Sequence, residues 1–386
     1  MRFPNRFRSP VGEVSNLADW QRFINSKIYY NVSFHPSFEP QIFSEKEIEM
    51  AYYVYIPIAG ENKISTFTLN PDTGQLTFQR DVAVGGGPGP LAIDPESKFL
   101  YAGLRSIQEI ASFSINPSTG DLSPIGSVSL ESDPCYISTD GKGNFLLSAY
   151  YGAGAISVHP IGEDGVVGGP AIEWRETANN AHCVMTDASN KFAFLPHVGE
   201  SNAIFQFQFD ENTGALTPNA SVPVLAAGEG EGPRHYVFHP NIDVLYTSNE
   251  QGCSITAYNF DSSAGTLSAF QTVSTLPDDF DEENSCAQIH ITPNGKFVYV
   301  SNRGHDSIAG FATDDATGAL TAIGQQPTEP TPRAFNVDLT GNFLFAGGQE
   351  SGRLATYRID PQSGELQPLE TYTVGDNPMW VLFVQL

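Results

Sequence analysis

The chain has 386 residues, of which 40% are hydrophobic and 11% aromatic, a composition typical of a folded globular protein and not of a disordered one. Its formal net charge of −25 disfavours nucleic acid and anionic membranes as partners. No apolar run approaches the roughly 20 residues that a transmembrane helix needs. We therefore expect no nucleic-acid partner and no membrane partner.

The cysteines bear on the compartment and on metal binding. Cys135, Cys183, Cys253 and Cys286 form neither a CxxC pair nor a zinc-ligand spacing. This pattern favours small buried thiols in a reducing compartment over a structural disulfide, so we expect a cytoplasmic protein. No other cluster of ligand residues is evident, and we predict neither a metal nor a cofactor.

Residues 1–49 differ from the rest of the chain, because they contain no repeat and equal numbers of acidic and basic residues. Their early arginines suggest a transit peptide, but Glu13 and Asp19 argue against one, and no apolar core of a secretory signal follows. A short helix is possible near Asn16–Ser26. We predict that residues 1–49 are a disordered extension or lie outside the native product, and that residues 50–386 form the folded domain.

An internal repeat begins at Met50. Its first component is an alternating apolar run that ends in a Thr-Gly turn, as in Thr66-Phe-Thr-Leu-Asn-Pro-Asp-Thr-Gly74. The turn glycines, one of them in a degenerate copy, are Gly74, Gly120, Gly165, Gly214, Gly265, Gly318 and Gly364. Short β-branched and aromatic segments closed by Gly, Pro, Asn or Asp are typical of strands and hairpins.

The second component places a polar residue and a turn before an aromatic strand. Its copies are Asp94–Tyr101, Asp140–Leu147, Asp187–Phe194, His239–Tyr246, Thr292–Tyr299 and Asp338–Phe345. Seven repeats of about 45–53 residues with about four strands each predict an all-β fold, a seven-bladed β-propeller. A helical solenoid would need a 3.6-residue periodicity, which is missing.

The two ends of the repeat region predict how the ring closes. Tyr52–Ile58 begins a blade that has no inner strand before it, and Met379–Val384 is an inner strand with no outer strands after it. We predict that the C-terminal strand completes the N-terminal blade, which leaves no open sheet edge at the junction.

In each blade the start of the innermost strand and the end of the next strand lie on the same face of the disc, around the central channel. The residues that follow the inner-strand openings are Gly89, Cys135, His182, Arg234, Ala287, Arg333 and Met379. The residues at the ends of the return strands are Ala59, Arg105, Tyr151, Val198, Glu250, Arg303 and Gln349. We call the region around these two sets the mouth.

Arginine is concentrated at the mouth. The repeat region contains eight arginines, and four of them fall on mouth positions: Arg105, Arg234, Arg303 and Arg333. Arginine binds phosphate and carboxylate through bidentate hydrogen bonds, so the mouth predicts a small anionic substrate. The alternative is that each arginine forms a structural ion pair with a nearby carboxylate, such as Glu229, Glu231, Glu250 or the acidic loop 278–283.

His182 and Glu250 are the titratable groups of the mouth other than its arginines and Cys135, and either can serve as a general base. An imidazole with an ordinary pKa near 6.5 changes protonation close to neutral pH. We interpret His235, His239 and His290 as structural residues, whereas His197 and His305 lie near the same face. Neither a GxSxG nucleophile motif nor a P-loop is present.

Several segments resemble the seven-bladed propeller lactonase family, which includes bacterial propeller-type 6-phosphogluconolactonases and fungal carboxymuconate-lactonising enzymes. The resemblance covers residues 50–386. The matching segments are Pro233-Arg-His-Tyr-Val-Phe-His-Pro240 followed by Asn249-Glu250, His290-Ile-Thr-Pro-Asn-Gly295 with Ser301-Asn-Arg303, and Pro332-Arg-Ala-Phe-Asn-Val-Asp338 with Ala346-Gly-Gly-Gln349. The chain departs from many members at Asn179-Asn180, where they have Pro-His, and at Tyr136, where they have His.

The resemblance implies hydrolysis of 6-phospho-D-glucono-1,5-lactone to 6-phosphogluconate, a step of the oxidative pentose phosphate pathway. The family's implicated residues match His182, Arg234, Glu250 and Arg303, which we expect to be catalytic. Arg105, Arg333, Gln349 and Tyr151 are expected to bind the substrate, and the protein to be a monomer. The choice of base between His182 and Glu250 stays open. The alternatives are a carboxymuconate cycloisomerase of the same fold and a non-catalytic propeller platform.

Overall fold

The repeat corresponds, blade by blade, to seven antiparallel sheets arranged in the order of the chain. The computed structural model describes residues 50–386. The extension predicted for residues 1–49, with its short helix, lies outside the described residues. Among the described residues, no helix is long and apolar enough to cross a membrane.

The first three blades follow the predicted pattern of short strands. Their strands are β1 (Tyr52–Ile58), β2 (Lys63–Leu69), β3 (Leu76–Ala83), β4 (Pro88–Ile93), β5 (Phe99–Leu104), β6 (Glu109–Ile115), β7 (Leu122–Ser129), β8 (Tyr136–Thr139), β9 (Phe145–Tyr150), β10 (Ala155–Pro160) and β11 (Glu173–Glu176). Two 3₁₀ turns, Ala59–Glu61 and Gly199–Ser201, follow second strands at the mouth.

The fourth blade departs from four strands, because its outer strand is split into two pieces that both pair with β14. The remaining strands are β12 (Met185–Thr186), β13 (Phe192–His197), β14 (Ala203–Phe209), β15 (Leu216–Pro218), β16 (Val224–Ala226), β17 (Pro233–Phe238), β18 (Val244–Asn249), β19 (Ser254–Asp261), β20 (Thr266–Ser274), β21 (Ser285–Ile291), β22 (Phe297–Arg303), β23 (Ser307–Thr313), β24 (Leu320–Pro327), β25 (Ala334–Val337), β26 (Phe343–Gly348), β27 (Arg353–Ile359), β28 (Leu366–Thr373) and β29 (Leu382–Gln385).

The predicted closure of the ring is confirmed. Strand β29 pairs antiparallel with β1, with Tyr52 opposite Gln385 and Tyr55 opposite Leu382. The regular strand begins three residues later than predicted, at Leu382, although the Met379 N–H still donates to the Pro57 carbonyl at 3.0 Å. The start of this inner strand is irregular at the mouth, as are several other inner strands.

The hydrophobic core lies between neighbouring blades, and the Thr-Gly turns explain part of its packing. Gly120 has a φ of 65°, and a Cβ there would collide with the ring of Tyr53 in the preceding blade. In the same contact, the buried Tyr55 hydroxyl donates to the Gly120 carbonyl at 2.7 Å. Glycine is needed at this turn because both the backbone conformation and the close approach exclude a side chain.

The polar residue of the second component caps the turn that follows the inner strand. Asp140 Oδ1 accepts the N–H groups of Asn144 and Phe145 at 2.7 and 2.8 Å. Asp338 repeats this arrangement four blades further along the chain, with Asn342 and Phe343 as donors at 2.9 and 2.8 Å. These carboxylates satisfy backbone groups that would otherwise be buried without partners.

Candidate active site

The mouth positions converge as the repeat alignment predicted. The Glu250 N–H donates to the Gly232 carbonyl at 2.7 Å, directly before the opening of its own inner strand. The Glu250 carbonyl accepts the Cys286 N–H at 3.1 Å, at the opening of the next inner strand. The end of this return strand is thereby fixed beside the openings of two neighbouring inner strands.

Three of the predicted catalytic residues form a charged cluster. Arg234 Nε lies 2.9 Å from Glu250 Oε2, and Arg303 Nη2 lies 3.2 Å from Glu250 Oε1. Arg303 Nη2 also donates to the Cys286 carbonyl at 2.9 Å. One carboxylate therefore holds two guanidiniums.

Arg234 is the most deeply buried of these cations, with 2% of its side chain exposed. Its Nη1 has no hydrogen-bond partner, and its Nε contact with Glu250 is a close charge pair without hydrogen-bond alignment. Burial lowers the pKa of Arg234 to about 9, with the Arg303 charge acting in the same direction and Glu250 opposing it. Such a buried cation is stabilised by any anion that enters the mouth.

The two predicted substrate-binding arginines differ in their pairing. Arg105 Nη2 lies 2.6 Å from Asp133 Oδ2, and the Arg105 stem packs over Gly89, where a Cβ would lie 2.8 Å from Arg105 Cδ. Arg333 forms no ion pair within residues 50–386. Burial, and to a smaller extent the charges of Arg303 and Arg105, lower the pKa of Arg333 to about 10.

The alternative of purely local ion pairs therefore accounts for only part of the arginine cluster. Glu250 and Asp133 pair with three of the four mouth arginines. Within the described part of the chain, Glu229, Glu231 and the acidic loop 278–283 form no ion pair with any mouth arginine. Four guanidiniums face two carboxylates, and the mouth has an excess of positive charge in a protein with a net charge of −25.

His182 lies in an aromatic cluster beside these charges. Its ring centroid is 5.1 Å from that of His235 and 5.7 Å from that of Tyr151. Burial, and then the Arg234 charge, lower the pKa of His182 well below its usual value. The expectation that His182 changes protonation near neutral pH is wrong, because the buried imidazole stays neutral there.

His235, which we had interpreted as structural, belongs to the same cluster. Burial and the Arg234 charge lower its pKa well below the usual value. His182 Nδ1 and His235 Nε2 are both buried without a hydrogen-bond partner. Tyr136 packs edge-on against His235, with 5.0 Å between the ring centroids, so it lies next to the imidazoles.

The other predicted residues surround this cluster. Tyr151 is 39% exposed and covers one edge of His182. Gln349 is half-buried, and its Nε2 lies 3.8 Å from Met379 Sδ on the closing strand. His197 and His305 have partners away from the cluster, since their Nδ1 atoms contact the Asn179 carbonyl and Ser307 Oγ.

A small cavity lined by mouth residues shows which residues the repeat alignment missed. Its lining includes Arg105, Cys135, Arg234, Arg333 and Met379, which were predicted, and also Pro90, His235, Gln288 and Trp380. Each of the missed residues directly follows a predicted mouth position. Irregular pairing at the openings of β4, β17 and β21 lets consecutive residues face the channel, which strict strand alternation does not allow.

Comparison with known proteins identifies the family. A family model described as "Lactonase, 7-bladed beta-propeller" matches residues 53–383. The chain belongs to this family of propeller lactonases. It is 37% identical over 337 residues to a 6-phosphogluconolactonase from Pectobacterium carotovorum subsp. carotovorum (strain PC1), a match that covers 87% of this chain and 100% of the relative. A 6-phosphogluconolactonase from Yersinia enterocolitica is 36% identical over 333 residues, or 86% of this chain and 98% of the relative.

Solved structures agree with this assignment. A putative 6-phosphogluconolactonase from Bacteroides fragilis NCTC 9343 has a TM-score of 0.80 and 26% identity, and the match covers 87% of this chain and 98% of that one. A periplasmic gluconolactonase from Pseudomonas aeruginosa has a TM-score of 0.81 at 23% identity, over 86% of this chain and 99% of that one, which shows a likeness in fold. The resemblance found in the sequence is confirmed.

The mouth of this lactonase can supply both functions that lactone opening needs. A base must take a proton from the attacking water, and a cation must stabilise the oxyanion that develops on the carbonyl oxygen. The neutral imidazole of His182 can accept a proton, and Arg234 and Arg303 provide fixed positive charge nearby. Within the described region, no three His, Cys, Asp or Glu side chains converge as a metal site.

Proposed function

We propose that this lactonase hydrolyses 6-phospho-D-glucono-1,5-lactone to 6-phosphogluconate. The observation that carries the proposal is the excess of buried guanidinium at the mouth of a strongly acidic protein. A sugar phosphate brings the negative charge that this excess requires. The names of the 35–37% identical relatives support the same substrate.

Arg333 is the best candidate for the phosphate, because its guanidinium is largely buried and forms no ion pair among residues 50–386. Arg105 lies on the same cavity and can share the phosphate if it loosens its contact with Asp133. We assign Gln349 and Tyr151, which are partly exposed, to the sugar hydroxyls and ring.

Arg234 and Arg303 are assigned to the carbonyl oxygen. Both are fixed by Glu250, so little rearrangement is needed as negative charge develops on the lactone oxygen. We assign Glu250 the role of holding these two guanidiniums, since each of its oxygens already faces one of them. That leaves His182 as the base that takes the proton from the attacking water.

The test is a direct comparison of three substrates with purified protein. Hydrolysis of the phosphorylated lactone is expected at a kcat/KM far above that for glucono-1,5-lactone, because the two differ only in the phosphate. Carboxymuconate cyclisation is the third assay. Turnover of carboxymuconate without hydrolysis of the phosphorylated lactone would overturn the proposal in favour of the cycloisomerase, and activity on none of the three would leave a binding platform.

We also propose a cytoplasmic location. A phosphate dianion does not cross a bilayer unaided, since burying its charge is costly, and so it is hydrolysed in the compartment where it forms. The four free cysteines suit a reducing compartment. The monomeric state stays a prediction, and sedimentation of the purified protein would test it.

A further inference from the structure

Cys253 occupies a repeat position to which cysteine is poorly suited. This position lies in the turn between the second and third strands of each blade, and in every blade the residue has a left-handed backbone. Its occupants are Asn62, Gln108, Gly154, Asn202, Cys253, Asp306 and Gly352. Glycine and the polar residues tolerate this conformation best, whereas Cys253 adopts it with a φ of 45°. The backbone conformation of the turn therefore does not explain why cysteine occupies position 253.

The contacts of the equivalent residues show what cysteine replaces. Asn62 Oδ1 accepts the Gly87 N–H at 2.7 Å, and Asn202 Oδ1 accepts the Gly232 N–H at 2.7 Å. Both bonds cap the residue that precedes an inner-strand opening. The Cys253 side chain makes no such cap among the described residues, and its Sγ contacts the Asn284 carbonyl at 3.4 Å and Asn284 Nδ2 at 3.2 Å.

Cys286 is equally unusual at its own repeat position. The inner-strand openings are proline in five blades and alanine in one: Pro88, Pro134, Ala181, Pro233, Pro332 and Pro378. The one blade with cysteine at this opening directly follows the one blade with cysteine in the turn. Two departures from the repeat therefore coincide at positions that face each other across one blade boundary.

The two thiols lie close together and differ in their surroundings. Asn284 Nδ2 is 3.2 Å from Cys253 Sγ and 3.3 Å from Asn302 Oδ1, which in turn neighbours Cys286 Sγ. Cys286 Sγ is fully buried and lies 3.2 Å from Thr275 Oγ1 and 3.4 Å from Asn302 Oδ1. The pKa of Cys253 is lowered to about 6, chiefly by its hydrogen bond with the Cys286 thiol, against the opposing effect of burial. Burial raises the pKa of Cys286 well above its usual value. A half-buried thiol with a lowered pKa therefore lies near a fully buried thiol.

We propose that Cys253 and Cys286 form a dithiol site that reacts with hydroperoxides. The Cys253 thiolate attacks the O–O bond, which gives a sulfenic acid on Cys253 and releases the alcohol, or water in the case of hydrogen peroxide. The Cys286 thiol then attacks the sulfenic sulfur and forms a disulfide, and the sulfenic hydroxyl leaves as water with the proton of the Cys286 thiol. The peroxide is reduced by two electrons, which the two sulfurs supply.

The disulfide would act on the mouth through the Cys286 backbone. The Cys286 carbonyl accepts from Arg303 Nη2 at 2.9 Å, and the Cys286 N–H donates to the Glu250 carbonyl at 3.1 Å. Drawing Cys286 towards Cys253 moves both contacts, so the oxidised protein is expected to hydrolyse lactone more slowly until dithiothreitol restores it. This consequence rests on the proposed function, whereas the formation of the disulfide does not.

The other two cysteines are internal controls. Cys135 and Cys183 are buried, and burial raises the pKa of both thiols, that of Cys135 to about 11. Cys135 Sγ also lies among the carbonyls of Ala149, Ala181 and His182. A thiol without thiolate character reacts slowly with peroxide, so neither residue is expected to be oxidised under conditions that oxidise Cys253.

The test is mass spectrometry of the reduced full chain after brief exposure to a small excess of hydrogen peroxide. The expected product has lost two hydrogens and gives a cross-linked peptide pair joining Cys253 to Cys286, and dithiothreitol reverses both changes. In Cys286→Ser the reaction should stop at the Cys253 sulfenic acid, which dimedone traps. In Cys253→Ser no disulfide should form.

Oxidation of Cys135 or Cys183 at the same rate as Cys253 would overturn the proposal. So would a natively folded protein in which Cys253 is converted to sulfinic acid without any cross-link to Cys286. If the disulfide forms but the reduced protein shows no lactone hydrolysis, the dithiol site stands and the proposed function fails. The mass readout and the activity readout therefore separate the two proposals.

Discussion

The two ends of the propeller channel use polar residues in different ways. At the end opposite the mouth, four inner strands are followed by the same residue type, at Asp94, Asp140, Asp187 and Asp338, and each carboxylate accepts backbone N–H groups of its own turn. At the mouth, equivalent positions hold different residues in different blades. A polar residue that recurs in four blades serves the fold, whereas the mouth positions vary from blade to blade and are available for chemistry.

The hydrogen-bond inventory supports this distinction. The mouth contains buried nitrogens without partners on Arg234, His182 and His235. Each such group costs about 1–3 kcal/mol of stability, a cost that the capping aspartates avoid. Buried polar groups without hydrogen-bond partners are expected mainly where function requires them. The unpaired nitrogens of the mouth suit a site that binds a polar ligand.

The largest predicted effect concerns the base. Replacing His182 by Ala should lower kcat for the phosphorylated lactone by roughly 10²–10⁴-fold, the usual contribution of acid–base catalysis. Glu250→Gln should cost less in kcat, because glutamine keeps the shape of a residue that holds two arginines and removes only its charge. Steady-state kinetics of the two variants measure this ranking.

The reverse ranking would transfer the role of base to Glu250. Wild-type kcat in both variants would mean that the mouth only binds. Thermal melting of each variant is the control, since the loss of charge at Glu250 leaves Arg234 buried without a counter-charge and is expected to lower the melting temperature.

Much of the fold follows from residues that the sequence displays. The Thr-Gly turns, the aspartate caps and the unpaired strands at both ends predict seven blades and their closure, because each feature meets a local backbone requirement. Arg234, Glu250 and Arg303 could be placed together by counting along the repeat. His235, Gln288 and Trp380 could not, because irregular pairing at the inner-strand openings breaks the alternation on which the count depends. The low pKa of His182 results from burial by several blades, which no local pattern reports.

A smaller effect separates mouth arginines from arginines of the blade exterior. Arg303→Ala should weaken the interaction with the anionic substrate by about 1.5–3 kcal/mol, the scale of a hydrogen bond to a charged group. Arg353 is a matched control, because it is also paired with a carboxylate, Glu329 at 2.8 Å, but its side chain is 51% exposed. Arg353→Ala should leave kcat/KM near the wild-type value. Equal losses of kcat/KM in the two variants would show that an arginine at the mouth contributes no more to substrate binding than one on the blade exterior.

The buried imidazoles predict a pH dependence of stability. Burial, followed by the Arg234 charge, lowers the pKa of His182 and of His235 well below usual values, so the unfolded chain binds protons that the folded chain does not. The free energy of unfolding is therefore unaffected by these two histidines above about pH 6.5. Below that pH it falls by at most about 1.4 kcal/mol per pH unit for each histidine. Denaturant unfolding between pH 7 and 5 measures the slope. The double variant His182→Gln, His235→Gln should show a shallower one, and an unchanged slope would contradict the assignment.

One strand permits the most direct test, because β25 has a mouth residue before it, Arg333, and a capping residue after it, Asp338. Arg333→Gln should lower kcat/KM for the phosphorylated lactone by roughly ten- to a hundredfold, leave the rate with glucono-1,5-lactone nearly unchanged and keep the melting temperature. Asp338→Asn should lower the melting temperature by a few degrees and keep both rates, because it weakens bonds within its own turn, to Thr340, Asn342 and Phe343. Melting curves and kinetics with both lactones for these two variants test whether the mouth residue serves activity and the capping residue serves stability. Separate losses of activity and stability are predicted, and an Arg333→Gln variant that loses stability but not its preference for the phosphorylated substrate would contradict the account.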